Sequence, residues 1–195
     1  MIERRRYMGL TALPYDYEVE YLESTGTQWI DTGFLHFNVQ KFGIKYYNIG
    51  NGIPGYGNAM GCRTSSGRDE LQVSNYNSGV VSVGVRNVAC GNVANQINEV
   101  VYNGGNTVTV NGTTKTIKVG TLLRQNSVVL FGIREQGNVV QLQAGKIYYA
   151  WLEGNGYKVD LIPVRVGQVG YMYDKVSGQL FGNSGTGDFI LGPEV

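Results

Sequence analysis

Apolar and polar residues alternate along most of this chain, and glycine or asparagine breaks the alternation about every 8–12 residues. A period of two sends successive side chains to opposite faces of a strand, so the pattern predicts many short antiparallel strands. Strands are expected at residues 17–23 and 28–34 around Ser24-Thr25-Gly26, and at 41–49 before a glycine-rich loop over 50–67. Strands 70–76 and 80–86 frame an Asn77-Ser78-Gly79 turn, with Val81, Val83 and Val85 on one face. Strands 107–110 and 113–117 flank Asn111-Gly112, a pair that accepts the two positive φ values of a type I′ turn. Further strands fall at 128–133, 146–153, 158–166 and 170–173, and, after a turn at 174–178, at 179–181. Val93, Ile97, Val100 and Val101 have helical spacing, but β-branching and the flanking Gly91 and Gly104 favour a strand after one helical turn. The expected architecture is all-β: one antiparallel two-sheet jelly-roll sandwich with little helix over residues 15–195. Residues 1–14 form an arm closed by Pro14.

Composition sharpens this picture. Glycine supplies 29 of 195 residues, about twice ordinary usage, and charged residues only 16% against roughly 25%. Surface helices draw on those missing charges, so mostly helical folds are disfavoured. The formal net charge of +1 provides no protein-wide field to hold nucleic acid. Arg4-Arg5-Arg6 reads as a solvated tail. No apolar run approaches the roughly 20 residues of a spanning helix, so no membrane insertion is expected. The first residues also lack the apolar stretch of about 7–15 residues that marks a secretory signal. Cys62 and Cys90 are too few for a disulfide scaffold or a zinc site and are expected as free, buried thiols.

Three stretches carry a family likeness: YLESTGTQWIDTG from Tyr21, YNGGNTVTVNGTTKTI from Tyr102 and LFGIREQG from Leu130. They resemble laminin-G-like domains, which belong to the concanavalin A-like lectin/glucanase jelly rolls. The closing half, GKIYYAWLEGNGYKVDLIPVRVGQVGYMYDKVSGQLFGNSGTGDFILG from Gly145, is similar to proteins of gut Bacteroidales and of their phages. The resemblance implies two sheets face to face, one concave, with glycan recognition as the common task. It also implies a place in a tail, fibre or other surface assembly, hence a virion or extracellular location. The partners would be a glycan or polysaccharide and neighbouring assembly proteins, with a homo-oligomer as one mode of presentation. No cofactor is expected; calcium is the one ion that the resemblance admits.

Some relatives of the fold hydrolyse glycans with acids in the pattern E-x-D-x-x-E, and Glu18, Glu20 and Glu23 are a near miss. Their place near the N-terminus fits the charged guard of an edge strand better than catalysis. The sole histidine, His36, has no nucleophile motif beside it, and neither cysteine has an adjacent base. Gly50-Asn51-Gly52-Ile53-Pro54-Gly55 matches G-x-G-x-x-G, but no helical period follows to face a pyrophosphate. Asp31, Asp69, Asp160, Asp174 and Asp188 are scattered, with no D-x-D-x-D run for calcium.

A binding surface remains, since sugars pair an aromatic face with amides and charges on their hydroxyls. With Leu71 and Val73 directed inward, Gln72, Ser74 and Tyr76 turn outward, joined by Ser82 and Arg86 on the next strand. Lys45 and Tyr47 share a face of an earlier strand. If Tyr148, Ala150 and Leu152 face the core, Trp151 points out. The candidate ligand-binding residues are therefore Trp151, Tyr76, Gln72, Ser74, Arg86 and Tyr47, with no catalytic or metal-binding residues. Non-catalytic, lectin-like adhesion is the leading function. The rivals are a structural virion decoration or fibre cap and a glucanase-type glycoside hydrolase.

Overall fold

The computed structural model describes residues 13–49, 57–65, 68–75 and 79–195. Most of the expected arm, the Gly50–Gly55 motif, Tyr76 and the Asn77-Ser78 pair lie outside the described residues. Among the described residues the chain forms β1 (Tyr17–Glu18), β2 (Leu22–Thr25), β3 (Ile30–Leu35), β4 (Lys41–Asn48), β5 (Asn58–Arg63) and β6 (Arg68–Ser74). There follow β7 (Val80–Val85), β8 (Ile97–Tyr102), β9 (Thr107–Val110), β10 (Thr113–Thr116), β11 (Ser127–Leu130) and β12 (Ile133–Glu135). The last are β13 (Asn138–Val140), β14 (Ala144–Gly154), β15 (Tyr157–Val166), β16 (Val169–Asp174), β17 (Leu180–Phe181) and β18 (Ile190–Leu191). One short 3-10 turn, His36–Asn38, follows β3.

The strands form two sheets packed as a jelly-roll-type sandwich. The larger runs β10-β9-β8-β4-β14-β15-β16-β17, with β1 on β15, β2 on β14 and β18 on β2. The smaller runs β13-β12-β5-β11-β3, with β6 on β5 and β7 on β6. The core lies between them: Phe42, Ile44, Val100, Ile147, Ala150, Leu152 and Leu161 from the larger sheet meet Ile30, Met60, Leu71, Val73, Val83 and Leu130 from the smaller. Alternation makes this possible, because the partners in each register share a face. Ile44 pairs with Val100 and Ala150, and Ala150 with Leu161, so one row of apolar side chains crosses four strands.

The hairpin turn forms as its sequence demands, with Asn111 at φ 50° and Gly112 at φ 77°. Three expectations need correction. The sheets are not purely antiparallel, because β12 runs parallel to β5. The expected loop over 50–67 contains β5, whose six residues are all buried. Nothing in Asn-Ala-Met-Gly-Cys-Arg favours a strand, but Gly61 is required, since an added Cβ would stand 2.7 Å from the Ile133 side chain. The expected strand 17–23 is divided, because Val19 and Leu22 are both buried three residues apart, which an unbroken pleat cannot satisfy.

Tyr46 is the largest fully buried side chain, and its polar end is satisfied inside the sandwich. The hydroxyl donates to Asn75 Oδ1 at 2.6 Å and accepts from Asn92 Nδ2 at 2.9 Å. Tyr46→Phe deletes one atom and leaves a buried donor without its acceptor. Urea unfolding should show a loss of about 2 kcal/mol with an unchanged m-value; a loss below about 0.5 kcal/mol would show that the bonds contribute nothing net.

Candidate functional site

Strand β14 builds the most distinctive surface. Its sequence places Ile147, Ala150 and Leu152 in the core, all fully buried. Ile147 and Ala150 are three residues apart, so regular pleating cannot turn both inward. The pairing with β4 shifts between Ile147 and Tyr149, and this bulge puts Tyr148 and Tyr149 on the outward side. The sequence expectation that Tyr148 faces the core is thereby corrected, while Trp151 lies outward and half-buried.

Register lays out the face in rows. Tyr47 on β4 stands beside Lys146 on β14, which stands beside Glu23 on β2. The next row is Glu99 of β8, Lys45 of β4 and Tyr149 of β14. The third is Val101, Gly43, Trp151 and Asp160. Gly43 explains the pose of the indole. A Cβ added at Gly43 would fall 2.2 Å from Trp151 Nε1 and 2.5 Å from Cε2, so the ring occupies the place of the absent side chain and lies over the neighbouring strand.

The surrounding aromatics are braced. Tyr149 donates its hydroxyl to the Glu99 carboxylate. Burial, with that hydrogen bond and charge, raises the Tyr149 pKa, so the phenol keeps its proton. Lys146 Nζ sits 3.9 Å from the Tyr21 ring centroid and 3.6 Å from Glu23, and Lys45 sits 5.5 Å from the Tyr148 centroid. Tyr21 meets Tyr148 edge-on, with centroids 5.7 Å apart. The Lys146 pKa is raised, chiefly by its hydrogen bond with Tyr21. The face thus offers half-buried aromatic rings, charged nitrogens and the carboxylates of Glu23, Glu99 and Asp160, a set that can stack on an apolar ring face and hydrogen-bond its substituents.

Trp151 and Tyr47 share this face two rows apart, and Gln72, Ser74 and Arg86 do not join them; Tyr76 lies outside the described residues. Leu71 and Val73 face the core as expected, which turns Gln72, Ser74 and Ser82 to the far side of the smaller sheet. There they are buried rather than exposed, with Gln72 at 3% and Ser74 and Ser82 at 0%. Gln72 Nε2 donates to Asn58 Oδ1 and Ser74 Oγ, and Ser82 Oγ donates to Glu70 at 2.9 Å. Arg86 is half-buried and pairs with Glu70 at 3.4 Å. These residues form an internal polar layer, not the exposed paving expected of them. Sequence reasoning missed Tyr21, Glu99, Tyr148 and Tyr149. The adjacent tyrosines, which no strict alternation can place, were the available signal.

The remaining candidates are held elsewhere. Glu18 lies on β1, Glu23 on β2 beside Lys146, and Glu20 between those strands, so the three acids do not share one strand face. Glu18 accepts from the Tyr15 hydroxyl at 2.9 Å. Cys62 and Cys90 are free and buried. Burial pushes the Cys62 thiol up to about 12, so it stays protonated at neutral pH. Among the described residues no three side chains of His, Cys, Asp and Glu converge as a metal site, and no helix is long and apolar enough to cross a membrane. Comparison with protein-family models, curated proteins and solved structures gives no match.

His36 is fully buried, and its Nδ1 accepts the Arg124 amide at 3.2 Å, which fixes a neutral ring protonated at Nε2. Asp69, 3.8 Å away, favours the cation, but burial dominates and lowers the pKa to about 4. The unfolded chain takes up its proton near pH 6.5, whereas the folded chain does not until about pH 4. Stability should therefore fall by roughly 3 kcal/mol as pH drops through that window. Urea midpoints across it should show the slope in the parent and a flatter one in His36→Asn; equal slopes would refute the assignment. Gly43→Val should displace the indole, shifting tryptophan emission to longer wavelength, and an unchanged spectrum would contradict its seat over Gly43.

Proposed function

We propose that this domain is a non-catalytic, lectin-like module that binds a carbohydrate on the outer face of its larger sheet. The observation that carries the reading is the indole of Trp151, seated over Gly43 on a face that also carries Tyr47, Tyr149, Lys45 and Glu99. Pyranose rings stack on such a surface through their apolar C–H faces, and the neighbouring ammonium, phenol and carboxylate serve their hydroxyls. The resemblance of the closing half to surface and phage proteins supports placing the module on a virion fibre or comparable assembly that adheres to a cell-surface glycan. A single shallow site of this kind binds near the millimolar level, about −4 kcal/mol, so presentation in several copies would supply the avidity.

Glycan-array binding by the unmodified protein, with and without calcium, tests the reading. Trp151→Ala should weaken the strongest hits about tenfold, in line with a stacking contribution of roughly 1–1.5 kcal/mol. Its melting temperature should drop by only a few degrees, because the ring is half-buried. An array without hits, together with a stable oligomer that Trp151→Ala dissociates, would replace this reading with a structural cap. Release of reducing ends by the unmodified protein would replace it with hydrolysis.

A further inference from the structure

At the end of the sandwich, where β3 stacks over β15 and β17, lies a groove of about 530 Å³ that shares no residue with the aromatic face. Strand alternation decides what enters it. Val159 and Leu161 of β15 belong to the core, so Tyr157 lies on their side of the strand, while Lys158 and Asp160 fall on the outer side. Phe34 and Val159, almost fully buried, form the floor with the half-buried Phe181. Phe37 and Tyr157 stand at the rim, 40% and 65% exposed. Four aromatic rings therefore line one space.

The charged group on the inner side is Asp174, whose register partner is Leu161 of the core. The residue lines the groove and is 1% exposed. Its carboxylate accepts from the amides of Asp160, Val176 and Ser177 at 2.7, 3.1 and 3.0 Å and from the Ser177 hydroxyl at 2.6 Å. A carboxylate has about four acceptor positions, so these donors occupy them all. Burial raises the Asp174 pKa and is the largest single influence, but the four bonds together hold it below the ordinary carboxylate value. The negative charge is thus present at neutral pH. No ion pair among the described residues includes it, and Lys175, its neighbour in sequence, is held by Asp160 at 3.2 Å. The groove combines a buried charge that has no cation with acceptor positions that are already filled.

That combination selects among cations. Calcium would need roughly six to eight oxygen ligands. A primary ammonium would find no free acceptor at the carboxylate for its N–H groups. An alkylated ammonium carries no N–H at all, and aromatic rings attract it through its charge. We propose that this groove binds a small, free quaternary ammonium compound with an aryl or alkyl body, its cationic head among Phe34, Phe37, Tyr157 and Phe181 and within the field of Asp174. The size agrees: a dry cavity of about 150 Å³ takes one benzene ring, and this groove is over three times larger. The site is independent of the glycan reading and survives its failure.

The test titrates three probes of similar shape into the folded protein and follows its amide NMR shifts: 4-(trimethylammonio)phenol, the neutral 4-tert-butylphenol and the anionic 4-hydroxybenzenesulfonate. The cation should bind one-to-one and roughly tenfold tighter than its neutral isostere, and the sulfonate should not bind. Shifts should concentrate at Phe37, Tyr157 and Phe181. Tyr157→Leu and Phe37→Leu keep apolar bulk and remove the ring, so each should weaken the cation about threefold or more and the neutral probe less than about twofold. Gln179→Lys, an exposed change in the groove wall, should weaken the cation about tenfold and leave the neutral probe unchanged. Shifts elsewhere, no saturable binding, or a cation indifferent to both Tyr157 and Phe37 would overturn the site. A cation held no tighter than 4-tert-butylphenol, or held equally by Gln179→Lys and the parent, would overturn the cationic ligand. Retention of the protein by phosphatidylcholine vesicles would overturn the free ligand in favour of a lipid headgroup.

Discussion

The demand that Ile147, Ala150 and Leu152 all enter one core governs the rest of this structure. Strand β14 is the hub of the larger sheet, with β4 along one edge and β2 and β15 along the other. Burying an aliphatic side chain of this size stabilises by about 1.5–3 kcal/mol. Breaking the ladder once forfeits a hydrogen bond with a net worth near 1 kcal/mol. The bulge is the smaller loss, and the chain takes it. Its consequence is functional in kind: Tyr148 and Tyr149 are both expelled onto the face that Trp151 already occupies. A core constraint thereby concentrates aromatic surface on the outside.

The same arithmetic explains what the sequence made legible. Where apolar residues recur at spacing two, as in β7, β9 and β15, strands fall close to their expected places, and the phase that sends Trp151 outward follows from Ala150 and Leu152 alone. Where buried residues sit three apart, as at Val19 and Leu22 or Ile147 and Ala150, alternation misplaces the chain, because the partner strand decides where the break falls. Strand β5 was illegible for another reason. Its residues carry little intrinsic preference, and its place is fixed by β6, β11 and β12, all distant in sequence. The site divides similarly. Phase placed Gln72 and Ser74 off the core face, but burial on the far side depends on their surroundings, which local spacing does not encode. The meeting of Trp151 with Gly43, 108 positions earlier (151 minus 43), depends on strand register and has no local signature.

The most polar and reactive side chains serve the interior. His36 caps the Arg124 amide, Asp174 gathers a turn and its neighbour strand, and Tyr46 ties Asn92 to Asn75 across the sandwich. Each interaction answers a buried donor or acceptor that would otherwise cost 1–3 kcal/mol or so. Cys62 and Cys90 pack in the apolar cluster as small hydrophobes. The histidine, the cysteines and Asp174 are thus kept away from the aromatic face, where rings, ammonium groups and the carboxylates of Glu23, Glu99 and Asp160 remain.

Within that face the rings are not equivalent. Lys45 stands over the Tyr148 ring and Tyr21 meets its edge, while the Tyr149 hydroxyl is anchored to Glu99. Trp151 is seated against Gly43 and is only half-buried, with no ring or cation contact of its own among the described residues, so in the proposed role it is the ring left to receive an apolar partner. Its neighbours contribute mainly by holding still. Fixing a mobile side chain on binding costs about 0.5–1.5 kcal/mol, a large fraction of the roughly 4 kcal/mol expected of one shallow sugar site. A platform already immobilised by a missing side chain on the next strand avoids much of that loss. In the proposed role, Gly43 therefore matters as much as the indole it carries, although it offers no atom for recognition.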